Sequence, residues 1–158
     1  MIPALLAVAL AFTPAWSYVP THLRAELAAQ SGGSLYLPAR TPSFYRYRSG
    51  AAVHAHILTV TFTDRVRIRE GVWKWTKKTF AWQVRPLAAS TDCAAWDQAT
   101  QTLQMGGNKV YAAANIAWRC VVDKHGARRV LLAEDDSGRL PVVALGRAVA
   151  SGLDVSGR

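Results

Sequence analysis

The sequence predicts an α+β fold, in which a mainly antiparallel sheet of one long hairpin and a meander has a short helix near each end. β-Branched residues dominate 53–63, and the strand pattern continues to a break at Glu70-Gly71. A second arm then runs from Val72 to Val84, and four short strand patterns separated by turn sequences follow it. Strands and helices do not alternate, which argues against a parallel sheet.

The second arm of the hairpin changes its alternation part-way along. Side chains alternate between the two faces of a strand, so residues of opposite parity face opposite ways. Phe80, Trp82 and Val84 share one parity, whereas Trp73 and Trp75 have the other. We therefore expect a bulge or turn near Lys77-Lys78.

Turn residues mark out the remaining elements. The meander strands are expected at Leu103–Met105, Lys109–Tyr111, Ile116–Val122 and Arg129–Ala133, and Gly106-Gly-Asn-Lys109 is interpreted as a hairpin turn. The segment 87–101 lacks a clear period and predicts a loop or short helix carrying Cys93 and Trp96. Helices are expected over 21–30, with Thr21 as a capping residue, and over 140–151, with Pro141 in the first turn.

Length and composition fit one globular domain. The chain has 158 residues, 51% of them hydrophobic and 18% charged, which is too apolar for a disordered protein. We expect a single domain over 18–153 and a flexible tail over 154–158.

The first 17 residues resemble an export signal. Met1–Phe12 is an apolar run of suitable length, and Ala15-x-Ser17 offers small residues for cleavage, although no Lys or Arg precedes the run. A retained amino-terminal anchor and a buried helix are the alternatives, but Pro3 and Pro14 interrupt a stretch barely long enough to span a membrane. Export predicts an extracytoplasmic protein, either secreted or associated with the envelope.

Cys93 and Cys120 are the only cysteines. An even number of cysteines in an exported chain predicts one disulfide, and closing a loop of roughly 28 residues would contribute about 3.5 kcal/mol in the chain-entropy model. The alternative is a pair of buried, reduced cysteines. Two cysteines alone do not make a zinc site.

The carboxy-terminal half carries a resemblance to a known class of domain. Gly107–Tyr111, Ile116-Ala-Trp-Arg119, Val130–Leu132 and a helix ending at Val149–Gly152 follow one another in the order found in small extracytoplasmic domains of bacterial lipoproteins and anti-sigma-factor tails. Leu37-Pro38 with Phe44–Tyr47 is similar to their Leu-Pro-x-Gly-Tyr opening, with Ser43-Phe44 in place of the glycine. The resemblance implies a non-enzymatic, envelope-associated module and brings no catalytic residues.

The formal net charge of +9 predicts attraction to anionic surfaces such as lipid head groups, cell-wall polymers or nucleic acid. We expect an anionic envelope surface or a protein partner rather than nucleic acid. Basic and aromatic residues concentrate on the hairpin and beside it, and arginines and indoles suit phosphates, stacking or a membrane interface. The alternative is a solvated sheet face with the tryptophans in the core. Strand alternation predicts that Arg65, Arg67 and Arg69 share one face. The candidate anion-binding residues are Arg46, Arg48, Arg65, Arg67, Arg69, Lys74, Lys77, Lys78, Trp73 and Trp75.

The sequence gives weaker support for a metal site or for a catalytic site. His54-x-His56 would place two imidazoles on one side of a strand, and His22 or His125 could join them at a metal, but no third ligand has a recognisable spacing, so we predict no metal site. Asp135 and Asp136 are interpreted as solubilising loop residues rather than as an acid–base pair. No catalytic or cofactor motif stands out. The sequence therefore favours a non-catalytic envelope domain, structural or ligand-sensing, with a basic module that binds an anionic polymer or membrane as the alternative and a metal-dependent enzyme as a weaker one.

Overall fold

The structure, a computed structural model, describes residues 13–135 and 137–158. Residues 1–12 of the expected leader and Asp136 lie outside the described residues. The helices are α1 (Thr21–Gln30) and α2 (Val142–Ala150). The strands are β1 (Tyr36–Pro38), β2 (Arg46–Tyr47), β3 (Ala52–His54), β4 (Ile57–Arg69), β5 (Val72–Pro86), β6 (Gln101–Met105), β7 (Asn108–Ala113), β8 (Ile116–Val122), β9 (Arg128–Glu134) and β10 (Gly152–Asp154).

Eight of these strands form one antiparallel sheet. Its order is β2-β4-β5-β9-β8-β7-β6, and β3 pairs with the first part of β4. The expected α+β class, the long hairpin (β4–β5) and the meander (β6 to β9) are confirmed. The hairpin is longest because β-branched and aromatic residues favour extended backbone along both arms.

The inner face of the sheet carries the main core. Phe62 and Phe80 pair across β4 and β5, and their rings stack with centroids 5.2 Å apart. Trp82 is fully buried beside them and donates its indole N–H to the carbonyl of Tyr36 at 2.9 Å. Helix α2 packs against β7, β8 and β9 on this core, with Leu145 turned inward. The even positions of β4 and β5 are therefore the ones that enter the core.

The outer face carries a smaller core under the loop 87–100. The Cys93–Cys120 disulfide, confirmed with Cα atoms 6.0 Å apart, joins this loop to β8. Trp118 is buried below and donates its indole N–H to the Cys93 carbonyl, while Trp96 packs edge-on against its ring. The Arg128 guanidinium donates to three loop carbonyls, those of Ala88, Ala89 and Thr91. The loop is thus fixed both covalently and by hydrogen bonds.

The carboxy terminus is more ordered than the sequence predicts. β10 pairs with β1 in a second, two-stranded sheet, and Val155 is fully buried, with its amide donating to the Leu35 carbonyl at 2.8 Å. The expectation of a flexible tail from residue 154 is wrong for Asp154 and Val155, because the chain leaves α2 beside β1 and completes a strand pair there.

The amino-terminal boundary of the packed domain also differs from the expectation. Residues 15–18 form a 3₁₀ turn in which Ala15 is buried and its amide donates to the Ala39 carbonyl at 2.8 Å. Residues 15–17, which the sequence analysis assigns to the leader, therefore include a residue, Ala15, that packs against the domain expected over 18–153. Helix α1 follows Pro20, and the Thr21 hydroxyl accepts a hydrogen bond from Arg24 instead of capping the helix.

Arg119 holds the carboxy-terminal end of α2. Its guanidinium donates to the carbonyls of Val149 at 3.2 Å and Gly152 at 2.7 Å, and to the side-chain oxygen of Asn108 at 3.3 Å. The last carbonyls of a helix lack partners within it and carry a partial negative charge, so a cation there stabilises them. Burial lowers the pKa of Arg119, a cost that these acceptors offset.

Asp123 organises the turn between β8 and β9. Its buried carboxylate accepts from the Arg129 side chain at 2.7 Å and from the amides of His125 and Ala127. Burial alone would raise the pKa of Asp123, but these hydrogen bonds outweigh it and lower the pKa to about 2. Arg129 also donates to the Ser31 carbonyl at 3.3 Å, which joins this turn to the end of α1.

We predict that Arg119→Met destabilises the protein by about 2 kcal/mol, since the carbonyls of Val149 and Gly152 lose a charged donor. Thermal melting followed by circular dichroism should show a fall in Tm of roughly 4–8 °C. Arg67→Met, which removes an exposed arginine from β4, is the matched control and should melt like the wild type. Equal melting of the two variants would contradict the capping role.

We predict that the Asp123 carboxylate contributes about 2 kcal/mol of stability at neutral pH. Because its pKa is lower in the folded chain than in the unfolded chain, the contribution is complete above about pH 4 and disappears as the pH falls toward 2. Denaturant unfolding from pH 7 to pH 2 should show Asp123→Asn less stable than wild type at pH 7 and nearly equal to it near pH 2. The exposed Asp92→Asn serves as control, and a pH-independent difference for Asp123→Asn would refute the assignment.

Candidate functional site

The far end of the β4–β5 hairpin projects beyond the rest of the sheet. β2 pairs with β4 only at Phe62 and Thr63, and β9 pairs with β5 only from Ala81 onward. Residues 64–78 pair only with each other among the described strands, and we call this segment the ribbon. At about 3.4 Å per residue, its arms extend on the order of 20 Å past the neighbouring strands.

A register shift marks the base of the ribbon. Thr63 pairs with Thr79, but Arg65 pairs with Trp75, so β5 uses three residues, 76–78, opposite the single residue Asp64. The Thr76 hydroxyl donates to the Asp64 carbonyl at 3.2 Å and accepts from the Lys78 amide at 3.1 Å. The expected irregularity near Lys77-Lys78 is confirmed, and it leaves both lysines exposed.

One face of the ribbon combines arginine and tryptophan. Arg65 pairs with Trp75 and Arg67 with Trp73, and residues paired across an antiparallel ladder point to the same face. The Arg65 guanidinium lies 4.5 Å from the centre of the Trp73 ring, a distance at which the ring face attracts a cation. The tryptophans therefore lie outside both cores, as parts of a cationic surface.

Neighbouring segments extend this face. Arg48, just after β2, lies 5.4 Å over the Trp75 ring, and Arg46, on β2, lies 4.1 Å over the Tyr18 ring. Phe44 contacts Trp73 with ring centroids 5.6 Å apart. Tyr18 and Phe44 are site residues that the sequence analysis missed, because they come from separate loops that only the tertiary fold brings to the hairpin.

The other predicted site residues lie elsewhere on the ribbon. A second register shift, between Arg67 and Arg69, pairs Arg69 with Val72 rather than with a residue on the Trp73 face. Arg69 therefore belongs to the opposite face, together with Lys74, which pairs with Val66. The bulge at Ile68 breaks the alternation that would have placed Arg65, Arg67 and Arg69 on one face. The ribbon is thus cationic on both faces.

Exposed apolar side chains accompany these charges. Ile68 is 61% exposed, Val66 45% and Trp73 37%, and Phe44 beside them is 57% exposed. Four of the six exposed large hydrophobic side chains among the described residues thus lie on the ribbon or against it. Exposed apolar side chains concentrated on one element among polar residues are typical of an interaction surface.

Two arginines at the base of the ribbon are held close together. Arg46 pairs with Thr63, and Arg65 lies two residues further along β4 on the same face, so the two are diagonal neighbours. Burial and the nearby Arg46 charge lower the pKa of Arg65, and Tyr18 opposes them with a weaker effect. The Nε–H group of each arginine is buried without an acceptor among the described residues.

Two shallow hollows border this arginine pair. One, of about 460 Å³, has Tyr18, Arg40 and Arg46 in its wall. The other, of about 240 Å³, lies beside Arg65 and includes Lys78, Arg139 and Asp64. Both hollows open to solvent next to cationic side chains, so a small anion can reach them.

The remaining sequence candidates do not assemble into a site. His54 ends β3, but His56 lies in the following turn with φ of +63°, so the expected placement of both imidazoles on one strand face is wrong. Within 13–135 and 137–158, no group of three His, Cys, Asp or Glu side chains is arranged to bind a metal. Asp135 is buried and accepts from Ser137 and Leu140, so it shapes its loop rather than solubilising it.

Neither helix in the described part of the chain has the length and apolar character needed to span a membrane. Comparison of the chain with models of known protein families, with curated proteins and with solved structures finds no match.

Proposed function

We propose that this chain is an exported, non-catalytic module of the cell envelope that attaches to an anionic lipid surface through the ribbon. The observation that carries the proposal is the combination of positive charge and exposed apolar side chains on a projecting two-stranded element. The disulfide is compatible with an oxidising compartment outside the cytoplasm, where such a surface would be met.

Charge supplies the attraction. Residues 64–78 contain six basic and two acidic side chains, a net charge of +4. Each lysine or arginine near an anionic membrane contributes about 1 kcal/mol, within a Debye length of the surface. The projection of the ribbon lets its cations approach a flat surface before the rest of the domain does.

The apolar side chains favour lipid over a soluble polymer. A soluble polyanion could bind the cations and stack on the tryptophan rings, but it would leave the side chains of Val66 and Ile68 exposed to water. At a bilayer surface these side chains can leave water for the boundary of the acyl chains, which is favourable for aliphatic groups. Tryptophan and arginine suit the same depth, because each has an apolar body and a polar tip.

We predict that Val66→Ser combined with Ile68→Ser weakens binding to vesicles of equal parts phosphatidylcholine and phosphatidylglycerol by about tenfold or more. Cosedimentation with vesicles measures the bound fraction. The matched control is Val122→Ser, which removes an exposed aliphatic side chain (64%) from β8, away from the ribbon, and should bind like wild type.

Charge reversal tests the electrostatic part of the same proposal. Arg67→Glu with Lys74→Glu should abolish retention on these vesicles, whereas Lys109→Glu, an exposed reversal on β7, should reduce it only slightly. Wild-type binding should fall with added salt and be absent on pure phosphatidylcholine. If the serine variant binds as well as wild type, the apolar argument fails and the ribbon instead binds a soluble polyanion such as heparin. If charge reversal has no effect either, the ribbon is not the attachment surface.

A further inference from the structure

We propose that Arg46 and Arg65, at the base of the ribbon, form a discrete binding site for one phosphate group. This inference deepens the proposed function, on which it rests for the natural source of the phosphate. The inference predicts one phosphate site of defined geometry in each chain. The proposed function, by contrast, requires only a charged surface.

The first argument is charge without compensation. The two guanidinium groups are diagonal neighbours on one sheet face, and neither has an ion-pair partner among residues 13–135 and 137–158. Two like charges held together repel each other, and an anion bound between them relieves the repulsion. Two other half-buried arginines are compensated: Arg119 by the carbonyls of Val149 and Gly152, and Arg129 by Asp123.

The second argument is that both side chains are held in position. Tyr18 lies under the Arg46 guanidinium at 4.1 Å, and Trp73 lies under that of Arg65 at 4.5 Å. Stacking on an aromatic ring restricts the guanidinium plane while leaving its edge available for hydrogen bonds. Both arginines are half-buried, so little side-chain freedom remains to be lost on binding.

The third argument is the unused donors. The Nε–H of Arg46 and that of Arg65 are buried and have no acceptor among the described residues, which is unfavourable for a polar group. A phosphate at the edge of a guanidinium accepts from Nε and one Nη together, the bidentate pattern that suits arginine. Arg46 lines one of the two hollows and Arg65 the other, and both hollows are open to solvent, so an anion can approach both guanidinium groups.

The surroundings favour an anion over a neutral ligand. Arg40 and Tyr18 share the hollow with Arg46, and Lys78 and Arg139 share the one beside Arg65. Asp64 is the one acidic residue among those that line either hollow. The local field therefore attracts a phosphate group, whether it is carried by a lipid head group or free in solution.

The test observes the arginine Nε–H groups directly. ¹H–¹⁵N spectra of the whole chain are recorded during titration with inorganic phosphate, and the Arg46 and Arg65 Nε signals are assigned by their loss in Arg46→Lys and Arg65→Lys. We expect both signals to shift downfield together and to saturate at one phosphate per chain. Lysine keeps the charge but has no planar donor edge, so each variant should bind phosphate at least tenfold more weakly than wild type. Lys109→Gln, remote from the site, should bind like wild type. Unmoved Nε signals, or a shift without saturation, would overturn the proposal.

Two further measurements show whether the natural phosphate is a lipid head group or a free ion, and distinguish failure of this site from failure of the proposed function. Dihexanoyl-phosphatidylglycerol, kept below its micelle concentration, is titrated in the same way. Tighter binding of this diester than of inorganic phosphate assigns the site to a lipid head group, and the reverse order assigns it to free phosphate. Vesicle retention without any Nε shift would leave the proposed function standing and remove this site. A saturable Nε shift without vesicle retention would support this phosphate site and refute the proposed function.

Discussion

The pairing register between β4 and β5 determines which side chains enter the core and which reach the surface. Along the first part of the hairpin, Phe62 opposite Phe80 and Val60 opposite Trp82 face inward into the main core, where Tyr45 packs on Phe80 and β1 accepts the Trp82 indole N–H. A shift of one residue would exchange these with the threonines of the outer face and leave no inner core. The position of α2, the β1–β10 pair and the loop over the outer face all depend on that choice of face.

The same register explains why the hairpin ends in a surface element. At the three-residue bulge, 76–78, the hairpin leaves the part of the sheet in which neighbouring strands pair with it. The Thr76 hydroxyl satisfies two backbone groups there, the Asp64 carbonyl and the Lys78 amide. Beyond the bulge no other described strand pairs with the ribbon, so its tryptophans are partners for arginines and, at Trp73, for Phe44. A two-stranded ribbon has little stability of its own, and the cation–π pairs with Arg48 and Arg65 are among the few contacts that hold it.

Much of this architecture could be predicted from local pattern. Alternation and turn residues indicated the hairpin, the meander, the bulge and both helices, because these depend on neighbours in sequence. The disulfide followed from the number of cysteines and from the expected export. The basic residues of the hairpin were visible for the same reason, although the second bulge, at Ile68, hid the fact that Arg69 faces away from Arg67.

The remaining features depend on contacts between distant segments. Nothing in Ile116-Ala-Trp-Arg119 distinguishes the last residue from a solvated strand arginine, since its backbone acceptors, Val149 and Gly152, lie 30 and 33 residues later in the chain. Tyr18 precedes Arg46 by 28 positions, and no periodicity joins them. The order of the tail was missed because Val155 finds its place only once β1 and α2 are assembled.

The strand pairing of the ribbon has a consequence for self-association. Beyond Thr63 and before Ala81, β4 and β5 each present an outer edge of unpaired backbone N–H and C=O groups among the described residues, which could align with the same edge of a second chain. In free solution, like charges on the two ribbons oppose that alignment. Neutralising the arginines and lysines removes the repulsion, so any anion that covers the ribbon also makes edge-to-edge pairing of two chains less unfavourable.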